Sequence, residues 1–220
     1  MVLGIIPARA NSKGIPRKNL YPLNGRPLID YTIDAAFKSK LDDFVISTDD
    51  KEIALMWKSI IRPPELAQDD TPMLPVIQHA VKRYEKKHKS APVEAVMTLQ
   101  PTSPLRLAED INEALRMFKA GDRDSLVSVY WGIHPVKSYL VEEGCSPKPF
   151  LPQEPYDKHK HKCLTRNGAI FITRRDLLDS GRLIGDDPLF YIMPKARSID
   201  VDDFDDLMIA EAILRRGEIH

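Results

Sequence analysis

Val2-Leu3-Gly4-Ile5-Ile6, followed at once by Pro7-Ala8-Arg9-Ala10-Asn11-Ser12-Lys13-Gly14-Ile15-Pro16-Arg17-Lys18-Asn19, decides how the rest of the chain is read. An uninterrupted apolar run of this length fits a strand buried on both faces, as in parallel sheets. Pro7 reads as its end, and a polar, basic connection follows to about Arg26. Pro27 stands where a first helical turn tolerates proline, and Leu28, Tyr31, Ala35 and Ala36 recur at helical spacing. The unit is strand, polar loop, helix. In open α/β sheets ligands bind beyond the carboxyl ends of strands, so this loop lies where a ligand would.

Working outward, the same alternation repeats. Phe44–Ser47 reads as a strand, and Asp49 or Asp50 as the cap of a helix through Ile53, Ala54 and Trp57. A helix follows from about Leu74 to Lys87, striped by Val76, Ile77, Ala80, Val81 and Tyr84. Then come a strand over Glu94–Leu99, a Pro-Thr-Ser-Pro turn, a helix to Phe118 and a strand over Leu126–Tyr130. This pattern predicts an α/β fold of three layers, a mostly parallel central sheet covered by helices on both faces. From Trp131 to about Lys162 the alternation fails apart from a possible strand over Val136–Val141, and so long a connection suits a lid or an arm used in assembly. Strands over Gly168–Ile172 and Leu189–Met193 follow. A last helix carries Phe204, Leu207, Met208, Ala210, Ile213 and Leu214 and stops at Gly217. The 220 residues are expected to form a single domain, 1–220.

Composition narrows the function. Thirty-two basic residues balance thirty-two acidic ones, which disfavours a binder of polymeric nucleic acid. No window approaches an apolar membrane span, and the N-terminus lacks the features of a secretory signal. Cys145 and Cys163 make no disulfide framework, so the cytoplasm is the expected location. Lys158-His159-Lys160-His161-Lys162-Cys163 lacks a fourth ligand for zinc and reads as a solvated run.

The charge is balanced only as a sum. Arg9, Lys13, Arg17 and Lys18 place four positive charges within ten residues of a loop that Gly14 lets approach a ligand closely. The loop is neither a Walker loop nor Gly-x-Gly-x-x-Gly, yet its place after the first strand suits an anion such as a triphosphate. Near the other end, Asp200 and Asp202 lie two apart, so on a strand both would project from one face and could bind Mg²⁺. Alone, that spacing fits an acidic cap on the last helix equally well. Asp203, Asp205 and Asp206 suit the cap and a solvated face.

Ile6-Pro-Ala-Arg-x-x-Ser-Lys-Gly-x-Pro-x-Lys-Asn19 resembles the signature loop of the acylneuraminate cytidylyltransferases. The resemblance continues through Ser47-Thr48-Asp49, Arg62-Pro63-x-Glu65-Leu66-Ala67 and Leu99-Gln100-Pro101-Thr102-Ser103-Pro104-Leu105-Arg106. It extends to His134-Pro135-x-Lys137, Asn167-Gly168-Ala169-Ile170 and Ser198-Ile199-Asp200-Val201-Asp202, in order along the chain. It implies a nucleotidyltransferase with a mixed sheet that transfers CMP from CTP to the anomeric 2-hydroxyl of a sialic-type nonulosonic acid, releasing pyrophosphate. By resemblance Arg9, Lys13 and Lys18 hold the triphosphate, Asn19 contacts the nucleoside, and Ser12 and Gly14 shape the loop. Asp200 and Asp202 hold Mg²⁺, with Asp202 counted among the catalytic residues. Gln100 contacts the sugar acid, and Thr102 and Ser103 share its rigid turn. Arg106 is either a ligand residue or a structural partner of the next helix.

The resemblance also implies a homodimer. In similar enzymes the segment here numbered 131–165 reaches across the interface, so Lys137 and the 158–162 run are expected near the partner's site. Many relatives carry an arginine two residues before the asparagine, where this chain has Thr165. Arg166 in a shifted register, or Lys162, would then clamp the sugar carboxylate. The neighbouring Kdo cytidylyltransferases have a first loop without the Lys-Gly and Lys-Asn pairs seen here, and typically an acidic residue in place of Gln100. Both differences point to a sialic-type acid. The rival readings are a Kdo or other sugar nucleotidyltransferase, and a catalytically weak nucleotide-binding protein.

Overall fold

Seven strands form one sheet with the N-terminal run near its middle, in a computed structural model that describes residues 1–88, 92–151, 157 and 162–217. The first half of the chain forms β1 (Val2–Ala8), the short pair β2 (Pro22–Leu23) and β3 (Arg26–Pro27), α1 (Leu28–Lys38), β4 (Asp43–Thr48), α2 (Lys51–Met56), β5 (Ser59–Ile61), α3 (Met73–Lys87) and β6 (Ala95–Thr98). The second half forms α4 (Ala108–Ala120), β7 (Ser125–Gly132), the short pair β8 (Tyr139–Leu140) and β9 (Lys148–Pro149), β10 (Cys163–Arg174), α5 (Arg175–Asp179), β11 (Leu189–Ile192) and α6 (Phe204–Arg216). The main sheet runs β11-β7-β10-β6-β1-β4-β5. Every neighbouring pair is parallel except those made by β10, which is antiparallel to β6 and β7.

Alternation along β1 explains why its sequence is apolar throughout. Val2, Ile6 and Ala8 pack with Ile29, Ile33, Ile111 and Ala114 beneath α1 and α4. Leu3 and Ile5 pack on the other face with Ile77, Ala80, Val81 and Tyr84 of α3. Successive side chains of a strand point to opposite faces, so a sheet with helices on both needs both sets apolar. Each fully buried Ile or Leu contributes about 1.5–3 kcal/mol.

The strand does not end at Pro7 but continues to Ala8, opposite Ser47 and Thr48 of β4. Leu99 N–H donates to the Ile5 carbonyl, so odd-numbered residues of β1 turn their backbone polar groups toward β6. Pairing with β6 stops at Ile5 opposite Thr98, and the N–H that Pro7 lacks faces past the end of that ladder.

Other departures have local causes. Of Val136–Val141, only Tyr139 and Leu140 are in a strand. β10 runs twelve residues, well beyond Gly168–Ile172, because its first part pairs with the far end of β7. Its register shifts between Arg166 and Phe171, where Gly168 takes a φ of 73°. Residues 198–202, where a strand would set Asp200 and Asp202 on one face, join no ladder.

A third apolar cluster determines the shape of the ligand end. Ile15 of the basic loop, Leu23, Leu28 and Leu105 pack against Val201, Leu207 and Ala210. The last helix is thereby fastened over the first loop. Asp203 caps α6 by accepting from the Asp205 and Asp206 N–H groups at 3.0 Å, and Gly217 closes it at φ 68°. Such a cap stabilises a helix start by about 1 kcal/mol.

Candidate active site

At the carboxyl ends of β1 and β6 opens a cleft of about 510 Å³. The basic loop forms one wall, residues 62–76 a second, and Gln100–Thr102 with Asp200 and Asp202 the third. Arg9, Ser12, Lys13, Gly14, Lys18, Asn19, Gln100, Thr102, Asp200 and Asp202 all line it.

Packing and hydrogen bonds set the loop's path. A Cβ on Gly14 would overlap the Asp202 carbonyl oxygen, so only glycine lets the two segments cross here. Lys18, nearly buried, donates to the Val201 carbonyl at 2.7 Å and pairs with Asp202 Oδ1 at 3.2 Å. The Asn19 side-chain amide donates to the Arg9 carbonyl at 2.8 Å, bracing the loop from within. Arg17 is drawn away from the cleft by Glu52 at 2.7 Å and Asp50 at 3.3 Å. The loop cations that reach the cleft are therefore Arg9, Lys13 and Lys18.

Asp200 and Asp202 both reach the cleft although no ladder holds their segment. Val201 between them is fully buried in the third cluster, and its N–H donates to the Thr102 carbonyl at 2.7 Å. Burial pushes the Asp200 carboxyl above its ordinary value, and the Asp202 charge adds to the rise. Thr102 stands near enough to ease the shift, yet Thr102 Oγ1 and Asp200 Oδ1 each lack a hydrogen bond of ordinary geometry among the described residues. A Cβ built on Gly168 would lie 3.0 Å from Asp200 Oδ2 and 3.2 Å from Gln100 Oε1, so the bulge in β10 is what lets these two side chains share a corner.

This donor set suits Mg²⁺. That ion is usually held by one or two carboxylates and completes its shell with phosphate oxygens and water. A buried carboxylate oxygen without a partner beside an exposed carboxylate supplies such a pair. Among the described residues no group of three or more His, Cys, Asp or Glu forms an all-protein metal cage.

Arg106 is the frame beneath the third wall. Fully buried, it donates to the Ala169 carbonyl at 2.7 Å, the Gln100 carbonyl at 3.2 Å and Thr32 Oγ1 at 2.6 Å. Burial pushes its pKa down to about 9. It is a structural partner rather than a ligand residue. Asn167 plays a similar part in the bulge: its Oδ1 accepts from Ser128 Oγ at 2.6 Å, and its Nδ2 donates to Ser198 Oγ at 2.9 Å.

A profile of the cytidylyltransferases matches residues 3–192. The chain belongs to the cytidylyltransferase family. It is 33% identical to an N-acylneuraminate cytidylyltransferase of Escherichia coli O18:K1:H7 over 98% of this chain and 52% of that protein. The chain thus spans about half the length of that relative. It is 30% identical to the post-translational flagellin modification protein B of Campylobacter coli, over 99% of this chain and 97% of that one. A solved CMP:2-keto-3-deoxy-manno-octonic acid synthetase complexed with CTP superposes with a TM-score of 0.70 at 17% identity, covering 98% of this chain and 99% of that one, a likeness of fold.

Within this family member some residues singled out in the sequence stand off the cleft. Ser103 is buried behind its wall, where its hydroxyl donates to the Asn167 carbonyl at 3.4 Å. Lys137 and Arg166 are exposed and do not line it. Nor does Lys162, whose ammonium lies 5.7 Å from the centre of the Trp131 ring, while residues 158–161 lie outside the described residues.

Conversely, Arg62, Gln68, Asp69 and Thr71 line the cleft without having been assigned a role from sequence. Arg62 was visible only as part of a motif. Its guanidinium donates to the Ser47 carbonyl at 2.5 Å and the Leu66 carbonyl at 3.3 Å, its Nε has no partner among the described residues, and burial pushes its pKa down to about 10. Nothing in the spacing of Gln68–Thr71 aims them at residues sixty positions earlier.

Proposed function

We propose that this chain transfers CMP from CTP to the anomeric 2-hydroxyl of a sialic-type nonulosonic acid and releases pyrophosphate. The observation that carries the reading is the junction at Lys18, where a cation from the first loop and a carboxylate from the last segment meet in one cleft. The family match and the name of the Escherichia coli relative support the nucleotide and the acid.

The sugar hydroxyl attacks the α-phosphorus, and the bond from that phosphorus to the bridging oxygen breaks. Negative charge grows on that oxygen, so cations near the β- and γ-phosphates assist most. Arg9 and Lys13, the more exposed loop cations, take that end. Lys18 is fixed deeper, toward the reacting phosphate. Arg62, with Gln68 and Thr71, offers donors for the acceptor edge of the base. Gln100 and Thr102 face the acceptor sugar. Asp200 and Asp202 would hold Mg²⁺, whose charge offsets that of the phosphates and of the leaving pyrophosphate.

A cytoplasmic homodimer is part of the same proposal. Strand alternation puts Trp131, Leu164, Arg166, Phe190 and Ile192 on one face of β7, β10 and β11, and its four apolar members are substantially exposed. Tyr139 and Leu140 of β8, and Phe150 just after β9, are exposed as well. A second copy on this face would cover them and carry Arg166 and Lys137 toward its cleft, where a guanidinium clamps a carboxylate. Among the described residues no helix is long and apolar enough to cross a membrane.

The test is pyrophosphate release with Mg²⁺, offering four nucleoside triphosphates against N-acetylneuraminate, legionaminate, pseudaminate and Kdo. Release is expected with CTP and a nine-carbon acid, with Asp202→Asn and Arg9→Ala each lowering turnover by about 10²–10³-fold at nearly unchanged melting temperature. Release only with Kdo or another nucleotide would move the specificity to the neighbouring transferases. CTP binding without any release would leave a nucleotide-binding protein.

A further inference from the structure

Four cations (Arg9, Lys13, Lys18, Arg62) and three carboxylates (Asp69, Asp200, Asp202) line the cleft. Each cation already has a partner. Lys18 and Arg62 are held by backbone carbonyls deep in the walls, whereas Arg9 and Lys13 are both held by Asp69. Asp69 Oδ1 lies 2.9 Å from Arg9 Nη1, and Asp69 Oδ2 lies 3.8 Å from Lys13 Nζ. The Gln68 carbonyl next to it takes a further hydrogen bond from Arg9 at 3.2 Å. One carboxylate thus offers each oxygen to a different cation, much as the oxygens of a phosphate would.

Asp69 has no evident architectural task that would explain this placement. α3 begins four residues later behind Pro72, which makes no side-chain cap bond, so Asp69 does not cap that helix. Its side chain is 47% exposed and Lys13's is 77% exposed, so the pairing is open to water and exchanges easily.

We propose that Asp69 is a built-in counter-ion that occupies the phosphate positions of Arg9 and Lys13 until a polyphosphate displaces it, so that it selects ligands by charge. The idea rests on the assignment of this cleft to a nucleoside triphosphate. With Asp69 in place the two cations are largely neutralised, and an anion of single charge gains little by exchanging with it. A triphosphate brings several charges and more oxygens, outcompetes the carboxylate at both cations, and leaves Asp69 to turn into solvent. The affinity of the free site is reduced by the fraction of time the cations are occupied. Asp69 is a specificity-determining residue in this scheme and takes no part in the bond changes.

The test is calorimetric titration of wild type, Asp69→Asn and Asp69→Ser with CTP, inorganic tripolyphosphate and CMP, in Mg²⁺ at fixed ionic strength. Both variants should bind CTP and tripolyphosphate about 3–10-fold more tightly, the range expected if Asp69 occupies the cations for most of the time. CMP should change by less than about twofold, since it reaches fewer of these cations. In the double variant Arg9→Ala with Lys13→Ala the effect of Asp69→Asn should shrink toward nothing. Unchanged or weaker CTP binding in folded variants would overturn the proposal, and so would an equal gain for CMP. Failure of the wild type to bind CTP at all would instead remove the nucleotide reading.

Discussion

Around β1, inside the sheet, the chain covers itself. Ile5, Ile6, Ile15 and Val201 are fully buried, and every cleft cation has a partner among the described residues. At the β7 end, Trp131, Ile133, Phe190 and Ile192 are 53%, 70%, 48% and 44% exposed. Both regions belong to one sheet and one sequence style, so hydrophobicity alone does not separate them. What differs is the source of the cover: α1, α3, α4 and the α6 cluster close the first, and nothing among the described residues closes the second. The cleft is thus lined from within one chain, while the β7 face leaves large apolar side chains open.

The sharpest way to break the assembled end is from below. Arg106→Ala would leave the Gln100 and Ala169 carbonyls and the Thr32 hydroxyl without their common donor in a dry interior. Removing one member of a buried charged network costs about 3–5 kcal/mol. Chemical denaturation should show that loss, and Arg106→Lys should recover only part of it, because an ammonium lacks the planar fork. A variant as stable as wild type would mean that the turn after β6 holds itself.

This frame also shows what could be read beforehand. The strand-loop-helix alternation through residue 130 was legible because apolar spacing is local, and Asp50 does cap α2 as its position suggested. The gathering of the basic loop with Asp200 and Asp202 was accessible through motif resemblance. Residue spacing alone left those carboxylates divided between metal and cap; in the structure Asp203 takes the cap and the other two face the cleft. The reversed direction of β10 was not legible, since a strand's partners are set by distant residues and its own pattern is the same either way. Nor was Asp69, whose meaning depends on a contact with Arg9 sixty residues away.

The exposed end yields a smaller effect of a different kind. If the β7 face meets a second copy, wild type should run as a dimer in light scattering at micromolar concentration. Trp131→Asp with Ile192→Asp should then run as a monomer at nearly unchanged melting temperature. Central aromatic anchors of interfaces typically cost 2 kcal/mol or more when truncated, on the order of a 30-fold weaker dimer. Activity should fall with assembly if Lys137 or Arg166 serves the partner's cleft, and should survive dissociation if each cleft is self-sufficient. A monomeric wild type would show that another molecule, or none, covers the face.

The smallest effect tests whether satisfied charge by itself marks a site. Asp43, at the opposite end of β4 from the cleft, accepts from Lys58 at 2.7 Å, Tyr84 at 2.8 Å and its neighbour's N–H at 2.8 Å. Partial burial alone would raise its carboxyl, but these hydrogen bonds outweigh it and hold the group below its ordinary value. A lowered folded value means that the carboxylate's stabilisation is present above the ordinary aspartate range and is lost as pH falls through the folded value. Asp43→Asn should therefore cost about 1 kcal/mol at neutral pH and approach nothing in acid. Burial, then the bond to Asp43, pushes the Tyr84 hydroxyl up to about 12, so that contribution is present below the ordinary tyrosine value and fades as pH rises through 12. Titrating tyrosinate absorbance in the variant should bring one group back toward its ordinary value. CTP turnover should stay as in wild type, because this network, as well paired as the one around Lys18, does not line the cleft of Arg9 and Asp202.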